Sequence, residues 1–268
     1  MRVLIVLLLA APAAFALGCQ ESGFDESKET ARPLKVQHVK GESKVPGQAE
    51  RVATLSLDAL DDSLALGVRP VRAAMPGLEP PRYLRGPAAG VEPMHPITEE
   101  DLLALDAAEP DLIVGRQGAL YEDLSLIAPT VITEPGSGQW KLNLRLAGEA
   151  LGRTNDAEGL LTDYDGRVAA VRRAIRGRPG VAVVRVDGNE LRFAERDSFA
   201  GTILADAGVR QVRSAAAADV LLISQGRTAD LQVDGAFEQA EVDPALWWGP
   251  GGVHAARAAL ADLNQILQ

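Results

Sequence analysis

The chain has 268 residues, of which 47% are hydrophobic, and it carries a formal net charge of −10 at pH 7. The length allows one large domain or two small ones. The acidic total argues against nucleic acid as a partner, because phosphate binding requires a basic surface. With a single cysteine, the chain forms no internal disulfide, so its folded body depends on apolar burial and hydrogen bonds.

The first 18 residues are an apolar run behind one positive charge, Arg2, and they end in small residues. This is the layout of an export signal, and it is shorter than the roughly 20 apolar residues that span a membrane. The end of the run, Ala16-Leu17-Gly18-Cys19, resembles a bacterial lipoprotein processing box, which implies cleavage before Cys19 and lipidation of its thiol. The alternative is an ordinary cleaved signal with an incidental cysteine. Residues 19–33 are mostly polar and charged, and we predict a flexible tether there.

Strands and helices alternate over residues 34–140, which we predict to be an N-terminal lobe. The pattern opens with a short hairpin around Gly41 and a buried strand at 51–57, followed by a helix that Gly67 ends. Later segments predict strands at 68–73, 111–115 and 129–132 and helices at 98–105 and 121–127. This alternation indicates an α/β layer with a parallel sheet.

The longest helical pattern runs from 156 to 175, within a segment, 141–178, that we predict to connect two lobes. Apolar residues recur on one face at steps of three and four, and Asn155 with Glu158 resembles a capping arrangement at its start. The alternation restarts in a C-terminal lobe, 179–268, with strands at 181–186, 208–212 and 219–224 and helices at 199–207 and 253–267. The predicted fold class is therefore α/β, with two α/β lobes joined by a long rigid helix.

Several segments together resemble the substrate-binding proteins of ABC importers for ferric siderophores, haem and vitamin B12. These segments are Val36–Pro46 with Glu50–Leu55, Leu64–Val71, Glu109–Ile113, Ile127–Val131, and the tail Val242–Trp247 with Gly251-Gly252. The resemblance covers most of residues 34–268. It implies a ligand cleft between the lobes, a stiff connecting helix, and a lipid anchor near the permease. It also implies permease docking through one carboxylate per lobe: Glu99 or Glu100 could serve in the first lobe, and the second has no clear counterpart.

In open α/β sheets, ligands bind beyond the carboxyl ends of the strands. This rule selects candidate ligand-binding residues in both lobes: Arg116, Gln117, Tyr121, Arg192, Phe193, Arg196, Arg227, Trp247 and Trp248. Arginine pairs well with the oxygens of an anionic ferric siderophore that carries catecholate or carboxylate groups. For each arginine, the alternative is an ordinary surface salt bridge, and Tyr121 is equally compatible with covering a helix end. We expect one of the two adjacent tryptophans to pack into the core and the other to reach the cleft.

The sequence predicts no metal site, because its three histidines, His38, His95 and His254, lack the spacing of a zinc motif. The acidic pairs Asp61-Asp62 and Glu99-Glu100 are interpreted as solvated helix faces or as partners of a helix dipole. Residues 249–252 precede a helix whose amides could bind an anion, although a plain turn is the favoured interpretation.

Together these features predict a monomeric, lipid-anchored binding protein without cofactor or catalysis. It would capture an iron–siderophore complex in the cell envelope, outside the cytoplasmic membrane, and hand it to an ABC permease. Haem and cobalamin are alternatives of the same fold; haem would favour an iron ligand such as Tyr121, and cobalamin would favour aromatic walls. An anchored hydrolase would need a nucleophile beside a base, and a protein-docking module would need an exposed apolar patch.

Overall fold

The structure is a computed structural model that describes residues 32–188, 190–226, 235 and 237–268. The predicted signal segment, Cys19, nearly all of the tether and Arg227 lie outside these residues. The described chain opens on the predicted hairpin, in which β1 (Leu34–His38) pairs antiparallel with β2 (Gly41–Val45).

The first sheet contains five parallel strands, which are β3 (Val52–Thr54), β4 (Arg72–Ala74), β5 (Glu92–Met94), β6 (Leu112–Gly115) and β7 (Thr130–Ile132). Their order is β5-β4-β3-β6-β7, so the winding direction reverses between β3 and β6. Every residue of β3 and β6 is buried, as expected for central strands of a parallel sheet that is covered on both faces. Ligands of open α/β sheets bind at such a reversal, beyond the carboxyl ends of the strands.

Three helices accompany this sheet: α1 (Leu57–Ala65), α2 (Leu102–Asp106) and α3 (Tyr121–Ile127). The bounds of α3 agree with the prediction. The helix predicted over 98–105 is divided into a 3₁₀ turn at Glu99–Asp101 and the short α2. A capping box between Thr98 and Asp101 begins this turn, with the Thr98 amide 2.9 Å from Asp101 Oδ2, which satisfies donors that the first turn leaves free.

The segment predicted to connect the lobes holds two helices, α4 (Trp140–Ala150) and α5 (Thr154–Ala174). The 21 residues of α5 span about 31 Å, which agrees with the predicted long helix. Arg153, and not Asn155, occupies its N-cap position, and no side chain caps it. The predicted Asn155–Glu158 capping arrangement is therefore wrong, because the helix begins one residue before Asn155.

The second sheet also contains five strands, which are β8 (Gly180–Asp187), β9 (Glu190–Phe193), β10 (Arg210–Gln211), β11 (Val220–Gln225) and β12 (Glu238–Glu241). Four of them are parallel in the order β10-β8-β11-β12, and β9 returns antiparallel along the end of β8. Its helices are α6 (Phe199–Ala207), α7 (Pro244–Trp247) and α8 (Val253–Ile266). None of the helices in the described ranges is long and apolar enough to cross a membrane.

An aromatic cluster joins α4, α5 and α6. The buried Trp140 ring lies 4.9 Å from the Tyr164 ring of α5 and 6.3 Å from the Phe199 ring of α6, both edge-on. Trp140 Nε1 also donates to Thr202 Oγ1 of α6 at 3.2 Å. Edge-to-face aromatic pairs are favourable beyond their buried area, so this cluster ties the helix before α5 to a helix of the second sheet.

Candidate functional site

An ion pair lies at the strand reversal of the first sheet. Arg116 directly follows β6, and Asp58 lies in the first turn of α1, which follows β3. Arg116 Nε donates to Asp58 Oδ2 at 2.8 Å, and the Asp58 side chain is 1% exposed. Arg116 Nη2, Asp58 Oδ1 and Ser56 Oγ are buried without a hydrogen-bond partner among the described residues. Since unpaired buried polar atoms are costly, this edge has donors and acceptors left for a bound molecule.

Gly115 determines the backbone from which the Arg116 side chain extends. Its φ is +154°, and a Cβ at this position would lie 2.7 Å from Leu55 Cβ. The Leu55 amide donates to the Val114 carbonyl at 2.9 Å, which holds the ends of β3 and β6 together. Only glycine permits this close approach, and the approach brings Arg116 to the first turn of α1.

The other two candidates of the first lobe make contacts away from this ion pair. Gln117 Nε2 donates to the Ile97 carbonyl at 3.1 Å. Tyr121 OH lies 3.4 Å from Ser43 Oγ, and its ring packs edge-on against His38 with centroids 5.4 Å apart. Tyr121 therefore packs against the β1–β2 hairpin, and this contact favours a structural role for its ring.

Ser43 Oγ lies 2.9 Å from His38 Nε2. This is the distance expected between a nucleophilic serine and a histidine that acts as its base. Their other hydrogen bonds exclude that role. Ser43 Oγ donates to the Thr130 carbonyl at 2.8 Å, and His38 Nδ1 accepts from the amides of Lys40 (3.2 Å) and Ile132 (3.5 Å). Because Nδ1 accepts, Nε2 carries the ring proton and donates to Ser43. Burial lowers the pKa of His38, which favours the same neutral form, and the pair fastens the hairpin to β7.

In the second lobe, a cavity of about 230 Å³ lies beside the N-terminus of α6. Residues that line it include Ser137, Phe193, Glu195, Ser198, Trp247 and Trp248. Ser137 comes from the segment before α4, and its Oγ accepts from the Phe199 amide at 3.0 Å. The structure thus brings three predicted ligand-binding residues, Phe193, Trp247 and Trp248, to one cavity.

The two adjacent tryptophans differ in burial, although both line this cavity. Trp247 is 1% exposed, belongs to the main apolar core, and donates from Nε1 to Asp262 Oδ2 at 3.3 Å. Trp248 is half-buried, and the Arg185 guanidinium lies 5.0 Å from the centroid of its ring. A cation over an indole face is attracted by the ring quadrupole, so Trp248 orients Arg185 beside the cavity.

Sequence reasoning did not select Arg185. The residue lies in β8, near its carboxyl end, and its Nε is buried without a hydrogen-bond partner in the part of the chain that the structure describes. The sequence predicts this strand over 181–186, and the carboxyl-end rule selects the residues that follow a strand. Extending the rule to the last two residues of each predicted strand would have found Arg185.

The remaining predicted arginines occupy different places. Arg192 lies on β9 and pairs with Asp187 at 2.8 Å, with 55% of its side chain exposed. Arg192 stands directly opposite Arg185 in the antiparallel pairing of β8 and β9, so the two arginines share one face of the sheet. Phe193 lines the cavity and Arg192 does not. Arg196 is exposed in the turn before α6, and it forms no ion pair with any described residue. Arg227 lies outside the described ranges.

A second cavity, of about 430 Å³, lies at the carboxyl ends of β11 and β12. Ser224, Gln225, Glu241 and Val242 contribute to its lining. Ser224 Oγ donates to the Val184 carbonyl at 3.0 Å, which links β11 to β8 close to Arg185. The second cavity therefore lies where the rule for open α/β sheets predicts ligand binding.

The proposed docking carboxylates are exposed. Glu99 and Glu100 form the first residues of the 3₁₀ turn that precedes α2. Neither side chain forms an ion pair within the described residues, although the capping box of Thr98 and Asp101 holds the backbone beneath them. The turn therefore presents two unpaired negative charges on the surface of the first lobe.

Two buried carboxylates of α1 cap the distant helix α8. Asp61 Oδ1 accepts from the His254 amide at 2.7 Å, and Asp61 Oδ2 accepts from the Ala255 amide at 3.0 Å. Asp62 Oδ1 accepts from the Val253 amide at 3.2 Å. These carboxylates are 0% and 1% exposed, so their interpretation as a solvated face is wrong. The alternative is correct in an unexpected form, because the dipole they complement belongs to a helix nearly 200 residues away.

This capping also decides the role of residues 249–252. The first amides of α8 already have carboxylate partners within the protein, so they are not free for an external anion. A Cβ at Gly252 would lie 2.6 Å from Asp61 Cβ. The glycine thus permits α1 and α8 to approach, and the segment is a plain turn.

The capping carboxylates and His254 perturb one another. Burial, together with the nearby charges of Asp61 and Asp58, raises the pKa of Asp62 well above its ordinary value. The hydrogen bond from His254 Nδ1 to Asp61 Oδ1, 2.9 Å long, raises the pKa of His254 against the opposing effect of burial. The paired, protonated imidazole therefore adds a cation to the Asp61 carboxylate.

We expect the His254–Asp61 pair to make stability depend on pH. Because the folded pKa of His254 lies above its ordinary value of 6.5, the contribution is complete below that pH and is lost as pH rises through the folded pKa. His254→Gln should therefore lower the free energy of unfolding more at about pH 6 than at about pH 9. Urea unfolding across this range measures the difference, with the exposed His95→Gln as control. A His254→Gln effect that is constant across the range would contradict the prediction.

The described residues contain no group of three or more His, Cys, Asp or Glu side chains that could hold a metal ion.

Comparisons with known proteins agree on one family of binding proteins. The sequence model of the family described as periplasmic binding protein matches residues 79–250. The chain is 31% identical over 217 residues to a probable siderophore-binding lipoprotein of Bacillus subtilis, covering 78% of this chain and 67% of that protein. It is 31% identical over 170 residues to the achromobactin-binding periplasmic protein of Dickeya dadantii, covering 59% and 55% respectively.

The fold resembles that of a solved structure, Staphylococcus aureus SirA complexed with staphyloferrin B. The TM-score is 0.75 at 23% identity, covering 87% of this chain and 99% of that chain. The predicted fold class, two α/β lobes joined by a long helix, is confirmed.

Proposed function

Since the chain belongs to the periplasmic binding protein family, we propose that it captures an anionic ferric siderophore outside the cytoplasmic membrane and delivers it to an ABC permease. In this proposal it acts as a monomer, held to the membrane by a lipid on Cys19, with no cofactor of its own. The ferric chelate is its cargo. The names of its relatives, a siderophore-binding lipoprotein and an achromobactin-binding periplasmic protein, support this ligand class and location.

The observation that carries the ligand class is the Arg185–Trp248 pair beside the cavity of the second lobe. The guanidinium lies 5.0 Å from the indole ring, and Arg185 Nε is buried without a described partner. Arginine is permanently charged, and its planar fork matches carboxylate and catecholate oxygens. Arg116, with a free buried Nη2, supplies a second such group at the edge of the first sheet. Two incompletely paired arginines, one in each lobe, favour a ligand with several anionic oxygens.

Binding without catalysis is part of the same proposal. The Ser43–His38 pair supports it, because its hydrogen bonds leave the imidazole unable to accept the serine proton. A protein-docking module is less well supported: the most exposed large apolar side chains, Leu103 and Leu126, lie on α2 and α3 and line neither cavity described above. For permease docking we propose Glu99 and Glu100, which are exposed and available to basic partner residues.

Fluorescence titration of the purified full chain tests the proposal. Trp140 and Trp247 are buried and Trp248 is half-buried beside the cavity, so Trp248 is the expected reporter. The ligands are ferric staphyloferrin B, ferric achromobactin, a ferric tris-catecholate, a ferric hydroxamate, haem and cobalamin. We expect saturable quenching by an anionic ferric siderophore at about micromolar concentration or below.

Two matched variants connect the binding to the site. Arg185→Gln should weaken binding about tenfold or more, because it removes a charge-assisted hydrogen bond. Arg178→Gln removes the same charge from an exposed loop position and should leave the affinity unchanged. Equal affinity of Arg185→Gln and the unmodified chain would contradict the assignment of Arg185 to the ligand-binding site. Saturation by haem or cobalamin alone would overturn the ligand class, and no response to any ligand would favour a protein-docking module.

A further inference from the structure

Within the described residues, the Arg116 guanidinium makes a hydrogen bond only through its Nε group. Asp58 Oδ2 accepts from Nε at 2.8 Å, and no bond from either Nη group to a described residue is present. Nη2 is buried and unpaired, as is the second oxygen of Asp58. The carboxylate therefore fixes the orientation of the guanidinium while leaving its outer N–H groups unused.

The other two buried carboxylates of α1 have hydrogen-bond partners within the protein. Both oxygens of Asp61 accept hydrogen bonds from the start of α8, and Asp62 accepts from the Val253 amide. Asp58 is also fully buried, yet its Oδ1 has no partner within the described ranges, and neither does the nearby Ser56 Oγ. Buried groups of this kind call for a partner that is absent from the protein itself, and all of them lie at the strand reversal of the first sheet.

We propose that Asp58 is a positioning residue for ligand recognition, acting through Arg116. It orients the Arg116 fork across the strand reversal, so that Nη donors meet an oxygen of the ligand. It also neutralises this half of the site, so that the first lobe recognises the ligand by hydrogen-bond geometry. The excess positive charge for an anionic ligand then comes from the second lobe, through Arg185. This inference rests on the proposed function, because it concerns how the same site recognises its ligand.

The two roles of Asp58 have opposite effects on an anionic ligand. Removing its negative charge while keeping its shape, as in Asp58→Asn, raises the net charge of the site and on Coulomb's law alone would strengthen anion binding. Losing the fixed orientation of Arg116 would weaken it, because a mobile guanidinium must be ordered again on binding. A loss of affinity in Asp58→Asn therefore identifies positioning, and a gain identifies a purely electrostatic role.

A double-mutant cycle tests the proposal, using isothermal titration of the purified full chain with ferric staphyloferrin B and ferric achromobactin. We expect Asp58→Asn and Arg116→Gln each to weaken binding about tenfold or more. The double variant should lose no more than Arg116→Gln alone, because Asp58 acts only through Arg116. Asp62→Asn, a change of the same kind four residues further along α1, should leave the affinity unchanged.

Arg116→Lys keeps the measurement informative if Asp58→Asn fails to fold. It retains the charge and loses the planar fork, so it should bind as weakly as Arg116→Gln. Additive losses in the cycle, unchanged or tighter binding by Asp58→Asn, or normal binding by Arg116→Lys would each overturn the proposal. If the unmodified chain binds neither ferric siderophore but binds another ligand class or none, the proposed function fails and this inference fails with it. Binding by the unmodified chain with an unaffected Asp58→Asn overturns the inference alone.

Discussion

Replacing Asp61 by alanine is expected to lower the free energy of unfolding by about 3 kcal/mol, a large share of the stability of a typical domain. The side chain is 0% exposed and accepts from two amides of α8 and from the His254 ring. Alanine would leave these donors buried without partners, and each such group costs about 1–3 kcal/mol. Urea unfolding at neutral pH measures the loss.

Asp62→Asn is the matched control for this prediction. Asparagine retains an oxygen for the Val253 amide, and it removes a charge that burial and the neighbouring carboxylates oppose, as the raised pKa of Asp62 indicates. We therefore expect a change of about 1 kcal/mol or less. Equal losses for Asp61→Ala and Asp62→Asn would show that the α8 cap is not held mainly by Asp61.

Trp140→Ala should lower the free energy of unfolding by about 4 kcal/mol, the range measured for large aromatic residues replaced in cores. Trp140 is fully buried, contacts the rings of Tyr164 and Phe199, and donates to Thr202. Its removal would open a cavity where α4, α5 and α6 meet and would leave the Thr202 hydroxyl with one partner fewer. The same denaturant experiment measures this loss.

Leu126→Ala provides the contrast, because Leu126 is 87% exposed on α3. Exposed substitutions usually change stability by about 0.5 kcal/mol or less. If Trp140→Ala lost no more than Leu126→Ala, the aromatic cluster would not be a principal connection between α4 and the helices of the second lobe. If it lost binding without losing stability, its role would belong to the ligand site instead.

Helices with complete local signals could be predicted closely from the sequence. The bounds of α6 were predicted without error, because the Ser198 hydroxyl caps its first turn and Gly208 ends it in a left-handed conformation. In contrast, α4 was not distinguished from the connecting segment. Its apolar pattern is interrupted by the exposed Leu142 and the buried Asn143. The Asn143 side-chain oxygen accepts from the Glu134 amide, and its side-chain nitrogen donates to the Glu134 carbonyl.

The candidate site was only partly predictable, for a geometric reason. The sequence indicates that Arg116 follows a short buried strand, and the strand order of the folded sheet then puts this strand end at the reversal. Arg192 and Phe193 lie on β9, a strand that the sequence analysis does not predict, so their side chains could not be assigned to faces of the sheet beforehand. Arg185 was missed because its relevance comes from Trp248, more than 60 residues later in the chain.

The amino-acid sequence by itself determined the α/β alternation, the long connecting helix and the family, because these depend on periodicity, capping residues and the order of local motifs. The tertiary structure alone decided that Asp61 and Asp62 cap α8, that Asp58 holds Arg116, and that Arg185 lies over Trp248. The sequence alone does not distinguish a helix carboxylate that faces water from one that caps a distant helix. The partner of such a carboxylate is set by which strand ends and helix termini the packed core brings within hydrogen-bond distance, and that packing depends on contacts between residues far apart in the chain.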